Sequence, residues 1–480
     1  MKFHISDSGE IVECRAQPGK CPKQNFDNFN DAERFLQNNL GSSLSGISKT
    51  HKNPLKQAVD YYGGDFIDPY EITLSKGVET VLEDLNTIGN PLVVGGAVRD
   101  SFVKADNKDI DIEVHKTDID ELVKTLKSKG YNVDEVGKQF GVLKVSKKGV
   151  VRDLDISVPR QENRTGAGHR SFEVSLDKNM TVSEAAERRD FTFNAVMYDH
   201  KRKLLVDPAD GKKDFENKVM RHVSEKFAED PLRVLRGFQF AGRFDMTMAP
   251  ETTALSKKLR PEYEHLSTER VQEEWGKFFT KSIEPIKGIN VLQQTEWDNT
   301  EPELREALNK DQVKNALNNL PKSPKNRKVI YGAAAIVSGM TNDNNRENFL
   351  SKSVIGVKEQ REAYNLATLD KDSIETTYQR KKLAKELEKS GFTFKDYGQF
   401  SEMMNDKKGV EISKIAEKEG IAEKPEPDLI MGKDVLELSN KKPGKWMGEL
   451  LMKARDEQYR GKITTKQEAL DFAKKFLKNV

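Results

Sequence analysis

The sequence predicts a multidomain α+β protein, in which a small mixed α/β head precedes an elongated neck, body and tail that are mostly α-helical. Strand-like alternation of apolar and polar residues is concentrated between Leu92 and Met197, whereas helical spacing takes over after Asp207. The 480 residues also exceed a single hydrophobic core, because such cores stop growing near roughly 250–300 residues. Together, the two patterns and the length favour several domains of different class.

These patterns divide the chain into four predicted domains. Residues 1–68 are polar and predict an arm or small module of unknown role, residues 69–207 the α/β head, residues 208–300 a helical neck, and residues 301–480 a helical body and tail. The arm holds both cysteines, Cys14 and Cys21. They are read as free cytosolic thiols, with one local bridge or half of a metal site as the alternatives.

Charge is distributed unevenly along the chain. Residues 301–480 carry 35 Lys and Arg against 29 Asp and Glu, whereas the first 300 residues carry 45 against 49. A basic second part favours contact with a polyanion, although ordinary solvated helices carry similar charge.

The sequence lacks the patterns of membrane and secreted proteins. No run of about 18 apolar residues is present. The first residues, MKFHISDSGE, contain no apolar signal-peptide core. We therefore expect a cytoplasmic protein.

The elements of the head follow in order from residue 72. A helix is expected within residues 72–89, and further helices begin at the N-caps Asp118 and Thr181, each followed three residues later by Glu. The predicted strands are Leu92–Val94, Asp109–Val114, Val142–Val145, Arg152–Val158 and Asn194–Met197.

Two carboxylates on one of these strands form a candidate metal site. Strand alternation places Asp109 and Asp111 on one face and buries Ile110 and Ile112 on the other. Neighbouring acids repel each other unless a cation lies between them, and Mg²⁺ prefers oxygen ligands. Asp155 on the strand Arg152–Val158 is a candidate third acid. An isolated Asp-x-Asp pair more often lies on a half-exposed edge strand with solvated acids, so the neighbouring sequence must distinguish between the two interpretations.

A double-glycine turn precedes this pair. Gly95 and Gly96 follow the strand Leu92–Val94 and come just before a predicted helix, with Arg99 on its first turn. Glycine lets backbone amides approach a phosphate, and arginine supplies further donors. The order strand, glycine turn, helix and acid strand therefore favours a nucleotide phosphate beside the acids.

Four sequence blocks resemble the class II tRNA nucleotidyltransferase and bacterial poly(A) polymerase family, within the polymerase-β-like superfamily. They are PLVVGGAVRD with KDIDIEV (91–114), ERRDFTFNAVMYD (187–199), LVDPADG (205–211) and FAEDPLRVLRGFQFAGRF (227–244). The resemblance implies a catalytic nucleotidyltransferase head and a helical part that holds an L-shaped RNA.

The resemblance also implies roles for individual residues. Asp109 and Asp111 would hold two Mg²⁺ ions, with Asp155 as a further acid where the family usually has Glu. Binding of the incoming nucleotide would fall to Gly95, Gly96, Arg99, Arg189, Asp190, Asn194, Asp230, Arg233 and Arg236.

Asp230 and Arg233 can be assigned on physical grounds as well. They are three positions apart and therefore neighbours on one helix face. An Asp acceptor and an Arg donor match the amine and ring nitrogen of cytosine and adenine, but not the groups of guanine and uracil. Asp230 could alternatively be only an N-cap, with Pro231 as first helical residue.

The chain departs from relatives that carry a metal-dependent HD phosphohydrolase domain. The corresponding segment near Arg327–Gly339 has no His-Asp pair, and all seven histidines lie between His4 and His265. We therefore expect a degenerate HD-like region without metal ligands. His169, on a Gly-rich loop, is not assigned to catalysis.

The resemblance implies template-independent addition of C, C and A, from CTP and ATP, to the 3′ end of tRNA or a tRNA-like RNA. Poly(A) addition or A-only addition remains an alternative within the family. A catalytically inactive RNA-binding protein that keeps the fold is the alternative from another class.

Overall fold

The computed structural model describes residues 3–5, 11–13, 25–26, 58, 61–62, 67–104, 109–164, 172–369, 374–439 and 442–478. Cys14, Cys21 and His169 lie outside these residues. The chain separates into two compact units. Unit 1 comprises residues 1–237 and 246–267, and unit 2 comprises residues 238–245 and 268–480. The predicted bounds 68, 207 and 300 stay predictions.

All the described strands lie in unit 1, where one mixed sheet of eight strands forms the head. Its order is β4-β13-β12-β5-β6-β9-β8-β7, while β1–β3, β10–β11 and β14–β15 form smaller sheets. The strands are β1 Phe3–Ile5, β2 Ile11–Glu13, β3 Asn25–Phe26, β4 Ile67–Pro69, β5 Asn90–Val94, β6 Asp111–His115, β7 Asn132–Asp134, β8 Val142–Lys147, β9 Val151–Ser157, β10 Arg160–Arg164, β11 Phe172–Leu176, β12 Met197–Asp199, β13 Leu204–Val206, β14 Val219–Met220 and β15 Thr247–Met248.

The helices α1–α5 belong to unit 1, α6 contributes residues to both units, α7 belongs to unit 1 and the remainder belong to unit 2. They are α1 Lys76–Leu85, α2 Gly96–Ser101, α3 Ile119–Ser128, α4 Val182–Glu187, α5 Gly211–Glu216, α6 Leu232–Phe244, α7 Pro250–Lys258, α8 Thr268–Lys281, α9 Pro285–Gln294, α10 Leu304–Asn309, α11 Asp311–Asn319, α12 Lys328–Ser338, α13 Asp343–Ser353, α14 Val357–Ala367, α15 Thr377–Lys389, α16 Phe394–Met403, α17 Lys407–Lys418, α18 Gly432–Glu437, α19 Lys445–Tyr459 and α20 Lys466–Leu477.

Strand β5 shows how the head sheet separates two cores. Val93 packs into a cluster with apolar residues of α1 and α3, whereas Leu92 and Val94 pack into a second cluster with residues of α4. Successive strand residues point to opposite faces, and β5 is buried throughout because both faces are covered.

The register of the central strands brings two acids together. Strand β5 pairs antiparallel with β6, so that Val94 lies opposite Asp111. Strand β6 pairs parallel with β9, so that Asp111 lies opposite Asp155. This is the sheet's parallel pairing, and it joins acids that are distant in sequence.

Both predicted N-caps in the head are confirmed. The Asp118 side chain accepts a hydrogen bond from the Glu121 amide at 2.8 Å. Thr181 and Glu184 form a reciprocal capping box. Each satisfies amides that have no partner within the helix.

The predicted strand Asn194–Met197 is wrong. Residues Thr192–Asn194 form a 3₁₀ turn, and the strand begins at Met197. The Asn194 side chain is engaged with Asp190 at 2.9 Å. This local contact favours a turn where the apolar residues suggested a strand.

Unit 2 is helical throughout its described elements, which agrees with the predicted fold class of an α/β head followed by helices. Its helix α12, at the place of the expected HD-like region, is apolar and buried from Ile330 to Val337. A separate cluster near the C-terminus packs α18, α19 and α20 around Val435, Leu450 and Ala473. Among the described residues, no helix combines the length and the apolar character that crossing a membrane requires.

Candidate active site

The double-glycine bend lies at the end of β5. Gly95 adopts φ 67° and ψ −128°, a conformation that L side chains rarely tolerate, and Gly96 begins α2. A Cβ atom placed on Gly95 would lie 3.8 Å from Nη1 of Arg189 and 3.9 Å from Oδ2 of Asp111. The bend, a guanidinium and a carboxylate therefore converge on one point. Helix α2 has six residues, so its dipole adds little, and Arg189 is the nearby source of positive charge.

Three carboxylates, which we call the acid edge, line the adjacent part of the sheet: Asp109, Asp111 and Asp155. Asp111 opens β6 opposite Asp155, and Asp109 precedes the strand. The surrounding protein desolvates Asp111 and raises its pKa, although its side chain keeps an exposed surface. Arg189 opposes this shift of the pKa, whereas Asp155 and Asp109 increase it. The charge of Asp111 is therefore only partly compensated.

The acid edge fits a divalent cation that binds together with a phosphate. Among the described residues, no group of three or more His, Cys, Asp or Glu side chains forms a ready metal cage. Mg²⁺ is usually bound by one or two carboxylates plus substrate phosphates and water. Asp109 and Asp111 supply such oxygen ligands. Asp155 is half-exposed and lies 3.6 Å from Nζ of Lys144.

Sequence reasoning gave no role to Glu113, which is fully buried two residues after Asp111. Its Oε2 accepts hydrogen bonds from Arg188 at 2.5 Å and from Arg189 at 3.4 Å. Its Oε1 lies 3.1 Å from Nε2 of His115. Burial disfavours the charge, but Arg188, His115 and Arg189 outweigh it and hold the pKa of Glu113 well below its usual range. The alternation Asp-Ile-Asp-Ile-Glu-Val-His is the sequence signal that could have revealed it.

Asp190 is buried and satisfied by protein groups. Its Oδ2 accepts from Nε of Arg236 at 2.7 Å, and its Oδ1 accepts from Nδ2 of Asn194 at 2.9 Å and from the Phe191 amide at 2.8 Å. Burial alone would raise the pKa of Asp190, but Arg236 and these hydrogen bonds lower it to about 2. Asp190, the last residue of the Arg-Arg-Asp segment, thus forms with Arg236 a buried ion pair that we call the support.

Arg99 extends this support from α2. It is 5% exposed, and its Nη1 donates to Oδ1 of Asn194 at 2.6 Å, while its Nε donates to Oδ1 of Asp100 at 2.7 Å. Asn194 therefore connects Arg99 with Asp190. In this arrangement Arg99 orients the residues below the bend, and Arg189 faces the bend itself.

The predicted base-reading pair lies at the start of α6. Oδ1 of Asp230 accepts from the Leu232 amide at 3.2 Å, as a helix cap does. Arg233 donates to the carbonyl of Lys226 at 2.6 Å and to that of Arg188 at 2.5 Å. A guanidinium carries five N–H donors, so Arg233 retains donors for a base edge. The cap and the base-reading role are therefore compatible, and base reading stays a prediction.

All the residues assigned from the sequence lie in unit 1. Asp111 and Arg189 both lie close to the double-glycine bend. Asp111 also interacts electrostatically with Asp109 and Asp155. Asp190, Asn194, Arg99 and Arg236 form the support, which is joined to Arg233 through the main chain of Arg188–Asp190.

Two family models match this chain. Residues 92–221 match the poly(A) polymerase head domain, which includes the bend, the acid edge and the Arg-Arg-Asp segment. Residues 393–473 match a putative second domain of tRNA nucleotidyltransferases.

Curated relatives match part of the chain. The multifunctional CCA protein of Aliivibrio salmonicida is 40% identical over 207 residues, which cover 42% of this chain and 48% of the relative. That of Aromatoleum aromaticum is 40% identical over 185 residues, covering 38% of this chain and 43% of the relative. The chain thus spans about half the length of the curated relatives it matches.

Solved structures show the same fold over most of the chain. The CCA-adding enzyme of Bacillus stearothermophilus in complex with CTP has a TM-score of 0.63 at 20% identity, covering 85% of this chain and all of that one. The Thermotoga maritima CCA-adding enzyme complexed with tRNA has a TM-score of 0.54 at 19% identity, covering 83% and 95%. Two parts of the chain, residues 92–221 and 393–473, are therefore similar to domains of poly(A) polymerases and tRNA nucleotidyltransferases, and its fold is similar to that of CCA-adding enzymes.

Proposed function

We propose that this protein is a template-independent RNA nucleotidyltransferase that adds C, C and A to the 3′ end of tRNA, from CTP and ATP. The observation that carries the proposal is the convergence of Gly95, Arg189 and Asp111 on one point beside the acid edge. A bend that admits a phosphate, a cation that holds it and carboxylates that repel each other suit a metal-bound nucleoside triphosphate. Similarity to the CCA proteins supports tRNA as the acceptor. The proposal includes a cytoplasmic location for the protein.

The reaction we propose is a direct, in-line displacement. The 3′-oxygen of the RNA loses its proton and bonds to the α-phosphorus, while the bond from that phosphorus to the bridging oxygen breaks and pyrophosphate leaves. Two Mg²⁺ ions bound by Asp109 and Asp111 would lower the pKa of the hydroxyl and neutralise the leaving group.

The chain's own residues would position the reactants. Arg189 would hold the triphosphate at the bend by charge-assisted hydrogen bonds. Asp155, opposite Asp111, would keep the acid edge negative enough to bind both ions. Positioning and neutralisation of charge would account for most of the acceleration, so no covalent enzyme intermediate is required.

Base choice would depend on Asp230 and Arg233. An acceptor beside a donor pairs with the amine and ring nitrogen of cytosine or adenine. With guanine or uracil, acceptor would face acceptor and donor would face donor, at a cost of about 1–3 kcal/mol per unsatisfied group. The same pair therefore serves both nucleotides.

Incubation with single labelled nucleotides tests the proposal. The purified protein is given tRNA that lacks its 3′ end and CTP, ATP, GTP or UTP singly and together, with Mg²⁺ or with chelator. We expect two C and then one A, and no incorporation in chelator. Long A tails without C would instead identify a poly(A) polymerase. Addition of A only to a tRNA that already ends in CC would identify an A-adding enzyme.

A matched variant separates catalysis from RNA binding. Asp109→Ala should abolish incorporation and leave tRNA affinity unchanged, because Asp109 lies on the acid edge rather than on a basic surface. Undiminished incorporation by this variant would remove Asp109 from the metal site. Absence of incorporation by the wild type, with retained tRNA binding, would favour the inactive RNA-binding protein.

A further inference from the structure

Glu113 is an acid whose partners connect it to the site. It sits on β6 two residues after Asp111, so the two side chains share one face of the strand. Asp111 is exposed at the edge, whereas Glu113 is fully buried. A buried carboxylate is tolerated only with strong partners, and the partners of Glu113 are the two arginines of the Arg-Arg-Asp segment.

The guanidinium of Arg189 spans from Glu113 to the bend. Its Nη2 lies 3.4 Å from Oε2 of Glu113, while its Nη1 lies 3.8 Å from the Cβ position of Gly95. Asp111 is the other acid near this guanidinium, because its Oδ2 lies 3.9 Å from the same Cβ position. Arg189 therefore stands between a buried carboxylate that orients it and an exposed carboxylate that attracts it.

A second buried ion pair in the same sheet shows the difference between support and positioning. Asp199 on β12 is 1% exposed and accepts from Nη1 of Arg202 at 2.7 Å, and Tyr62 also donates to it. These partners stabilise the sheet and the segment before it. Glu113 also supports the sheet, but one of its partners, Arg189, contacts Glu113 through Nη2 and directs Nη1 toward the bend where a phosphate would bind.

We propose that Glu113 is a positioning residue, which holds Arg189 at the double-glycine bend and away from Asp111. Arg189 can then receive the phosphate of the incoming nucleotide, and Asp111 stays available to the cation. The inference rests on the proposed function, since it names how one residue of that site is oriented. His115 lies 3.1 Å from Oε1 of Glu113, and Arg188 donates to Oε2, the same oxygen that Arg189 contacts.

Substitution of Glu113 by glutamine tests the proposal in the full-length protein. Glu113→Gln keeps the shape of the side chain but removes the charge that competes with Asp111 for Arg189. We expect the Kd for ATP, measured in chelator by calorimetry, to rise about ten-fold, as expected for loss of a charge-assisted contact. The KM for ATP should rise in parallel, kcat should change less, and half-maximal incorporation should need several-fold more Mg²⁺.

Two further variants serve as controls. Asp199→Asn neutralises a comparably buried, arginine-paired acid of the same sheet, so it should lower the melting temperature without changing the Kd for ATP. Glu113→Asp retains the charge and should restore part of the ATP affinity. If Glu113→Gln does not fold, the Kd of Glu113→Asp for ATP is measured instead. A Kd above that of the wild type supports the positioning role, and an unchanged Kd contradicts it.

The inference is overturned if Glu113→Gln binds ATP and Mg²⁺ like the wild type, or if Asp199→Asn weakens ATP equally. Failure of the proposed function looks different. A wild-type protein that incorporates no nucleotide would refute the enzyme, while the ATP affinities of the variants would still decide whether Glu113 positions Arg189.

Discussion

The acid edge and the Asp190 support lie in the same unit, and they treat a carboxylate in opposite ways. The pKa of Asp111 is raised, because burial and the neighbours Asp155 and Asp109 outweigh Arg189. The pKa of Asp190 is lowered to about 2, because Arg236, Asn194 and a backbone amide outweigh a more complete burial. The protein compensates the charge of Asp190 from within, whereas it compensates that of Asp111 only in part.

This difference separates residues that hold the site from residues that act in it. A lowered carboxylate pKa means that the folded state stabilises the charge, and a raised one means that the fold bears a cost. Costly charges gather where a ligand is to be bound. Residue type alone would not have separated the two aspartates, since the sequence assigned both to ligand binding, Asp111 to the metal ions and Asp190 to the nucleotide.

The largest effect is expected at Asp111. Asp111→Asn should reduce incorporation by at least about a hundred-fold, the scale of a lost transition-state contact. Thermal stability should be unchanged or higher, because a repelled carboxylate is removed. Incorporation rates and calorimetric melting check both. A variant that is strongly destabilised would show that the charge of Asp111 is compensated after all, and the comparison would fail.

Asp190→Asn should give the converse result. It should lower the free energy of unfolding at neutral pH by about 2 kcal/mol, because the buried charge pair with Arg236 is lost. Denaturant titration measures this loss. Activity should fall chiefly with the folded fraction, and a variant of full stability without activity would place Asp190 in direct contact with the nucleotide.

The pH dependence of stability gives a sharper form of this prediction. The folded pKa of Asp190, about 2, lies below the ordinary aspartate value of 3.8, so its contribution to stability is present above about pH 4 and is lost as the pH falls toward 2. Asp190→Asn should therefore flatten the unfolding free energy in this window. If denaturant titrations at pH 2–5 showed the same loss of unfolding free energy with falling pH in the variant as in the wild type, Asp190 would not be the source of this pH dependence.

A smaller effect is expected at Asp230, where cap and base reading coincide. Asp230→Asn keeps Oδ1 as acceptor for the Leu232 amide but replaces the other oxygen with a donor. Stability should change by less than about 1 kcal/mol, while the preference for C and A over U and G should fall about ten-fold, as one mismatched hydrogen bond implies. Competition between labelled nucleotides measures it, and an unchanged preference would leave Asp230 as a cap only.

The smallest effect is expected at Asp155. Its carboxylate is half-exposed and shared with Lys144, so it contributes charge rather than a buried contact. Asp155→Asn should lower incorporation several-fold and lower the pKa of Asp111, which NMR titration of the side chain would show. A loss as large as that of Asp111→Asn would make Asp155 a metal ligand.

Local signals in the sequence were sufficient for much of the head. The strand before Gly95 and the caps Asp118 and Thr181 follow from an apolar run and from capping chemistry that lie within a few residues. The acid strand follows from alternation, although it begins at Asp111 and ends at His115 rather than running from Asp109 to Val114 as predicted. The fold class is confirmed for the same reason, since alternation and helical spacing are local patterns.

Long-range partners could not be predicted in this way. That Glu113 binds Arg188 and Arg189, and that Arg233 donates to the carbonyl of Arg188, depends on contacts between segments distant in sequence. Asn194 was assigned to a strand because its apolar neighbours are typical of one, yet its side-chain contacts fix a turn. The site's shape therefore follows from tertiary contacts, while its chemistry could be read from residue types.

If the acid edge binds a cation as proposed, the parallel pairing of β6 with β9 would couple folding of the head to that binding. Asp111 and Asp155 become neighbours only when these strands pair, and closing the intervening chain costs conformational entropy that the pairing must repay. A head in which β9 has detached has no assembled acid edge. A cation that binds only the assembled edge shifts the equilibrium toward the paired state by mass action, so it would slow proteolysis of the head and protect the amides of β6 and β9 from hydrogen exchange.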